Sequence, residues 1–370
     1  MSNTIKFCVK CVVSNQRPRI SFNKDGVCNA CENRILIKDI DWDFRKKKFL
    51  QLIKKHKKNN GDYDVVVPSS GGKDSAMVAH KLKYEFGMNP LTVTWSPLRY
   101  TDIGYENLIK FSQSGFPVIF GKPNGKVVGR LTKETLIELG DPFQPFIYGQ
   151  VNFPLQIALK FKIGLIFDGE NGEEEYGGFK RIKKQGFNKK DSKKFWFSNY
   201  SEDFWRKKGF TKNELKIFKA PSDNDLKKFK IERHFWSYYF KWDPQTHFYY
   251  SSRNTLFKTN FKRSEGTYSK YSSLDDKFDG FHFYFMYLKF GIGRATSDSC
   301  QEIRNGYISR DEAVKLVQKY DGEFPQEHFE EFLEFCNISE AKFHKICDKW
   351  RSKKIWIKIN NKWKLKNKVY

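Results

Sequence analysis

VVVPSSGGKDSAMVAH, residues 65–80, decides the fold class. A β-branched run, Val65 to Val67, gives way at two glycines flanked by serines to a helix-like stretch expected to begin near Ser75. A strand, a glycine loop and a helix in that order aim backbone N–H groups and a helix N-terminus at one point, which suits a phosphate. Gly71 and Gly72 leave the loop unhindered, and Ser70 and Ser75 add hydroxyl donors. The stretch is not a Walker A loop, because it lacks the first glycine and the Lys-Ser order of G-x-x-x-x-G-K-[ST]. The dinucleotide fingerprint G-x-G-x-x-G fails as well.

Outward from the loop, strand and helix signals alternate from Tyr63 to Gly178. After YDVVVP come a helix ending at Gly87, the strand LTVTWS, a helix near YENLIKFSQSG and a short strand PVIFG. Two further helical patterns, VVGRLTKETLIELG and FPLQIALKFK, precede the apolar strand IGLIFDG. This alternation predicts an α/β domain over 41–178: a doubly wound parallel sheet with ligands at the carboxyl ends of its strands. Residues 179–262 are rich in aromatic and charged residues without clean periodicity, and read as an insertion forming a lid or substrate wall. Residues 263–370 read as a part that completes the catalytic site, with a helix begun by the capping-box pattern SRDE and a tail hairpin turning at the paired asparagines.

Four of the seven cysteines fall in the first 31 residues as Cys8, Cys11, Cys28 and Cys31. Two C-x2-C pairs sixteen residues apart can each turn two thiolates to one point, which predicts a structural zinc knuckle over 1–40; an iron–sulfur cluster and free thiols are the competing readings. With all four positions filled by protein, the metal has no open site, so its expected task is to fold a segment too small for its own core. Cys300, Cys336 and Cys347 lack such spacing and read as buried small apolar residues.

Lys and Arg number 68 against 43 Asp and Glu, a formal charge of +25. Such a field attracts polyanions or steers a phosphorylated substrate. Much of the excess lies in short runs at 45–48, 54–58 and 182–194, which read as solvated faces, so no nucleic-acid partner is expected. No apolar run approaches the roughly 20 residues of a membrane span, and a cytoplasmic protein is expected.

SGGKDS, Ser70 to Ser75, behind a hydrophobic strand resembles the SGGxDS signature of the PP-loop ATP pyrophosphatases. The resemblance implies a loop that holds the β,γ-pyrophosphate of ATP while a substrate oxygen attacks the α-phosphate, giving an adenylate and pyrophosphate. On it, Ser70, Gly71, Gly72 and Ser75 bind pyrophosphate, Lys73 lends a supporting charge, Asp74 positions Mg2+, and Trp95 and Ser96 lie near adenine.

A second stretch, FDGENGEEEYGG at 167–178, places Gly169 and Gly172 around Glu170 and Asn171, followed by Glu173, Glu174 and Glu175. Together with the cysteine segment 8–34, DPFQPFIYGQVNFP at 141–154, residues 265–298 and YDGEFP at 320–325, it resembles the N-acetyl sugar amidotransferases of surface-polysaccharide and flagellin-glycan pathways. Such enzymes convert an acetamido group into an acetamidino group. The poorly electrophilic amide is adenylated on oxygen, and ammonia then displaces AMP. The resemblance assigns Glu170 and Glu173 to metal or ammonia handling, Lys289 and Arg294 to the departing phosphates, and an anionic sugar or nucleotide-sugar as substrate. ATP, Mg2+ and Zn2+ are the implied cofactors.

The chain also resembles the PP-loop tRNA thiolases, which share a basic balance and an N-terminal knuckle. Sulfur transfer of that kind uses cysteines within the catalytic domain, and none occurs between Cys31 and Cys300. A non-catalytic nucleotide-binding module is a third reading, opposed by the intact SGGKDS. Nor is there a glutaminase nucleophile: position 2 is Ser2, and no cysteine sits in a strand-to-helix elbow. The resemblance therefore implies a separate glutaminase subunit, delivered with a channel-forming synthase-like subunit.

Overall fold

A computed structural model describes residues 4–169 and 200–370. At its centre, Val65, Val66 and Val67 are wholly buried on β1 (Val65–Pro68). Their alternation decides the layers. Val66 joins a cluster on one face with Val93, Trp95, Leu131 and Ile157, while Val65 and Val67 join the other with Phe49, Met77 and Phe167. A strand apolar on both faces belongs in a covered parallel sheet.

The sheet has five parallel strands in the order β3-β2-β1-β4-β5, with β2 at Pro90–Trp95, β3 at Val118–Gly121, β4 at Leu165–Asp168 and β5 at Glu232–Phe235. The chain moves outward from β1 to β3, then returns past β1 to β4. Strand order thus reverses beside the carboxyl end of β1, where a crevice opens.

Helices α1 (Asn29–Leu36) and α2 (Trp42–His56) precede the sheet, and α3 (Lys73–His80) follows β1. The α3 helix begins at Lys73, two residues ahead of the sequence expectation, because Gly72 in extended conformation serves as its N-cap. Between the strands run α4 (Asp102–Gln113), α5 (Gly125–Leu139) and α6 (Gln144–Lys160).

Residues 200–262, expected as part of an insertion forming a lid or substrate wall, also build the sheet and its core. Helices α7 (Glu202–Lys207) and α8 (Lys212–Lys216) bury Trp205 and Leu215 in the sheet core, and β5 pairs with β4 from Leu165↔Glu232 to Asp168↔Phe235. Next come α9 (Asp223–Lys228), α10 (Trp236–Tyr239) and α11 (Pro244–Asn254), and α11 packs on α3. Aromatic residues that defy a simple period are here spread over short elements filling both faces of one sheet.

The C-terminal part is helical: α12 (Asp279–Phe290), α13 (Arg294–Asn305), α14 (Arg310–Tyr320), α15 (Phe329–Cys336) and α16 (Glu340–Trp350). Ser309 and Glu312 close the expected capping box on α14. The tail hairpin, β6 (Trp356–Ile359) and β7 (Lys362–Leu365), turns at Asn360 and Asn361, both with positive φ as a tight primed turn requires. The cysteine module does not stand alone. Its core is shared with Ile292, Cys300, Ala313 and Val317, and Arg310 Nε donates to the carbonyls of Cys8 and Cys11 at 3.3 Å.

Candidate active site

The loop from Ser69 to Ser75 opens at the reversal of strand order. Gly71 has φ +84°, and a Cβ there would lie 2.7 Å from the carbonyl oxygen of Asn107 on α4. Only glycine fits both demands. Gly71 therefore seats the loop against α4 and, unlike Ser70, Gly72, Lys73, Asp74 and Ser75, does not itself line the cavity. The Ser75 hydroxyl donates to Ser69 Oγ at 3.0 Å, and Thr94 Oγ1 on β2 holds the Ser69 carbonyl. Gly169, at the end of β4, packs its Cα against the start of α3, where a Cβ would come within 2.8 Å of Ser75 Cα.

Asp74 is buried with both oxygens engaged. Oδ2 pairs with Lys73, and His247 Nδ1 on α11 donates to Oδ1 at 2.6 Å. Burial alone would raise this carboxyl, but Lys73 and His247 outweigh it and hold it at about 2. Ser251, one turn beyond His247, donates to the Lys73 carbonyl at 2.6 Å. Lys73 Nζ also lies 5.6 Å from the centre of the Tyr271 ring.

The cavity, about 520 Å³, runs from this loop to the C-terminal helices. Its size matches small-molecule and cofactor sites. Asp168 lines it at the tip of β4, clamped by Arg233 on β5 through Nε to Oδ2 at 2.6 Å and Nη2 to Oδ1 at 2.8 Å. On the opposite wall, Asp275 is hydrogen-bonded to the Ser70 side chain, and its carboxyl is raised by burial and by Asp279. Arg17 and Arg19, between the two cysteine pairs, also reach the cavity, so the N-terminal module forms part of the wall.

Of the other residues singled out from sequence, Trp95 lines the cavity, laid against α6 where Gly149 leaves room for it. Ser96 is buried beside it but bonds the Pro97 carbonyl at 2.9 Å and does not line the cavity. Arg294 lines the cavity, paired with Asp298 at 3.0 Å and stacked over Phe283. Lys289 does not: its Nζ donates to the Leu139 carbonyl at 3.1 Å, and burial lowers its pKa. Lys289 thus stands beside Asp141 at the end of α12, engaged with a backbone carbonyl, and its expected contact with phosphates is not among the contacts seen. Glu170 and Glu173 lie outside the described residues.

Sequence reasoning missed Asp168, Arg233, His247, Asp275 and the Asp141–His282 pair described below. Asp168 could have been found as the last residue of a strand that ends at the ligand-binding edge. His247 carried no local signal, because its partner is 173 positions away.

Sγ atoms of Cys8, Cys11, Cys28 and Cys31 all lie within 4.8 Å of one another, and all four residues are buried. Cys11 and Cys28 sulfurs are 3.7 Å apart, the separation that two thiolates take around one tetrahedral ion with metal–sulfur bonds of about 2.3 Å. Backbone N–H groups of Lys10, Cys11 and Cys28 point at Cys8 Sγ from 3.2 to 3.4 Å. The tetrad fits a single bound metal ion.

Residues 265–370 match the family model described as LPS biosynthesis protein WbpG-like, C-terminal domain. No curated protein matches the chain in sequence. Among solved structures the chain is similar to the U34-tRNA thiolase NcsA from Methanococcus maripaludis with its 4Fe–4S cluster. That likeness, at 12% identity over 90% of this chain and 96% of that one with a TM-score of 0.29, is too low to bear on function. The parallel sheet with SGGKDS at the end of β1 is the arrangement expected from the resemblance to the PP-loop ATP pyrophosphatases. No helix among the described residues is long and apolar enough to cross a membrane.

Proposed function

From the match of residues 265–370 to the WbpG-like C-terminal domain of LPS biosynthesis proteins, we propose that the whole chain is an ATP-dependent amidotransferase of surface-glycan synthesis. It converts a sugar acetamido group into an acetamidino group, releasing AMP and pyrophosphate. The observation that carries this reading is that one cavity is lined both by the PP-loop and by residues of the WbpG-like region, with Ser70 and Asp275 in contact across it.

Ser70, Gly72 and Ser75 hold the pyrophosphate part of ATP at the N-terminus of α3, and Trp95 walls the adenine side. Asp74 would hold Mg2+, which neutralises phosphate charge, once nucleotide draws Lys73 away from it. Arg294 faces the departing phosphates. Positioning and fixed charge supply most of the acceleration, since the cavity keeps the acetamido oxygen next to the α-phosphate. The cysteine tetrad carries Zn2+ in a closed structural site. No cysteine is among the described residues lining the cavity, which favours amidation over sulfur transfer.

The test is mass spectrometry of N-acetyl nucleotide-sugars and nonulosonates incubated with ATP, Mg2+ and ammonium. A change of about −1 Da on one sugar, with AMP formed in step, is expected. Sulfur incorporated into tRNA, or ATP split to ADP, would overturn the reading. Ser70→Ala and Asp74→Asn should each depress sugar-dependent ATP–pyrophosphate exchange by about 10²-fold.

A further inference from the structure

Buried Asp141 and half-buried His282 form a second pair apart from the PP-loop, with His282 on the cavity wall and Asp141 behind it. Asp141 stands in the turn between α5 and α6. Its Oδ1 accepts the Phe143 N–H at 3.0 Å, and its Oδ2 accepts Gln144 Nε2 at 2.7 Å. His282 on α12 comes to 2.9 Å from Oδ1 through Nδ1. A carboxylate accepts only, so Nδ1 carries the proton and Nε2 is left as the basic nitrogen. His282 Nε2 has no hydrogen-bond partner among the described residues, and His282 lines the cavity. One turn earlier on the same helix face stands Asp279, and four residues before that Asp275 touches Ser70, which fixes the dyad relative to the PP-loop.

We propose that His282, oriented by Asp141, is the catalytic base that takes a proton from the nitrogen entering the adenylated amide. This rests on the amidation reading and names the residue that completes it. The lone pair of ammonia forms the new C–N bond, and the carbon–nitrogen π pair of the imidate moves onto the sugar nitrogen. One proton passes from the new ammonium nitrogen to His282 Nε2. The C–O bond then breaks with its electron pair going to the phosphate oxygen of AMP, the C=N bond re-forms, and His282 returns its proton to solvent. Without that transfer the intermediate would expel ammonia again, since a protonated nitrogen is a better leaving group than AMP.

The surroundings of His282 suit a base that works near neutrality. Burial disfavours its charge, Asp141 and Asp279 favour it, Lys289 on the same helix opposes it, and the outcome is an imidazole raised above its ordinary value. Arg294, from the start of α13, covers the neighbouring Phe283 ring, and Phe143 flanks His282 from the other side.

Hydroxylamine, neutral across the working range, replaces ammonia in the test so that its own titration does not mask that of the enzyme. Amidoxime formation by the wild-type chain should rise with pH through one titration above about 6.5. Asp141→Asn should move that titration downward. His282→Gln should abolish it and lower amidoxime formation by about 10²-fold relative to sugar-dependent ATP–pyrophosphate exchange. A wild-type titration and a wild-type ratio of product to exchange in both variants would overturn the proposal alone. A wild-type chain without sugar-dependent exchange would overturn the amidation reading and this proposal with it.

Discussion

His247 and Asp74 stand 173 positions apart in the chain and 2.6 Å apart in the fold. The contact pins α11 to the first turn of α3, and the Ser251 hydroxyl on the Lys73 carbonyl adds a second tie one helical turn along. The loop proposed to bind phosphate is therefore held from behind by a helix outside the expected 41–178 domain. Because the carboxylate also pairs with Lys73, the start of α3 carries a closed set of charges before any ligand arrives.

That pairing makes stability depend on acid. Asp74 has an ordinary value of 3.8 and a folded value of about 2, so its contribution is fully present above about pH 4 and is lost as pH falls through about 2. The shift is worth about 2 kcal/mol. His247→Ala should raise the folded value and cost about 1–3 kcal/mol at pH 7. Urea unfolding at pH 7 and pH 3 measures both. A variant as stable as the wild type at pH 7 would show that the contact does not hold the loop.

Gly71→Ala tests the seat of the loop. A side chain there meets the Asn107 carbonyl at 2.7 Å and must adopt φ +84°, so strain of about 1–3 kcal/mol is expected along with displacement of the loop. ATP affinity should fall at least about tenfold in a titration followed by Trp95 fluorescence. Gly72→Ala is the control: its φ is −67° and its nearest contact is a serine hydroxyl at 3.4 Å, so the fold should tolerate it better.

The sheet was legible because its signals are local. Val65 to Val67, Gly87 and the alternation up to Phe167 each follow from neighbours within a few residues. The fifth strand was not, since Glu232 to Phe235 has no apolar run and owes its conformation to pairing with β4 at the edge of the sheet. The site divides the same way. SGGKDS reads as a phosphate loop from its own residues, whereas Asp275 and His282 reach the cavity through partners far away in sequence, Ser70 and Asp141. Lys289, which the resemblance assigned to the departing phosphates, stands at the end of α12 with its Nζ on the Leu139 carbonyl, a contact 150 positions away that no local pattern announces.

Metal removal should act through packing. Arg34 Nε reaches the Arg304 carbonyl at 2.8 Å, and Val12, Cys300 and Ala313 share one core, so unfolding the knuckle would expose the face of α13 and α14. The purified chain should carry about one zinc per protomer, and chelation, Cys8→Ser or Cys31→Ser should open the C-terminal helices to proteolysis. A redox-active chromophore at this site would exclude the zinc assignment. Since Arg17 and Arg19 come from the same module, loss of metal should weaken substrate binding before it alters the PP-loop.

The source of ammonia follows from where the thiols are. Hydrolysis of glutamine needs an accessible cysteine or equivalent nucleophile beside a base. All seven cysteines are buried: four in the metal tetrad, Cys300 packed against it, and Cys336 and Cys347 in the core formed by α12, α15 and α16. Burial raises the Cys347 thiol to about 12 and raises Cys336 as well, so neither is a thiolate at neutral pH. His344 beside them is exposed and turned to Glu340. We therefore expect a separate glutaminase to deliver ammonia, docking where the cavity opens at the carboxyl ends of the strands. The isolated chain should amidate with ammonium, faster as pH rises and more of it becomes the neutral nucleophile, and should stall with glutamine. Glutamine-dependent turnover by the pure single chain would refute the need for that partner.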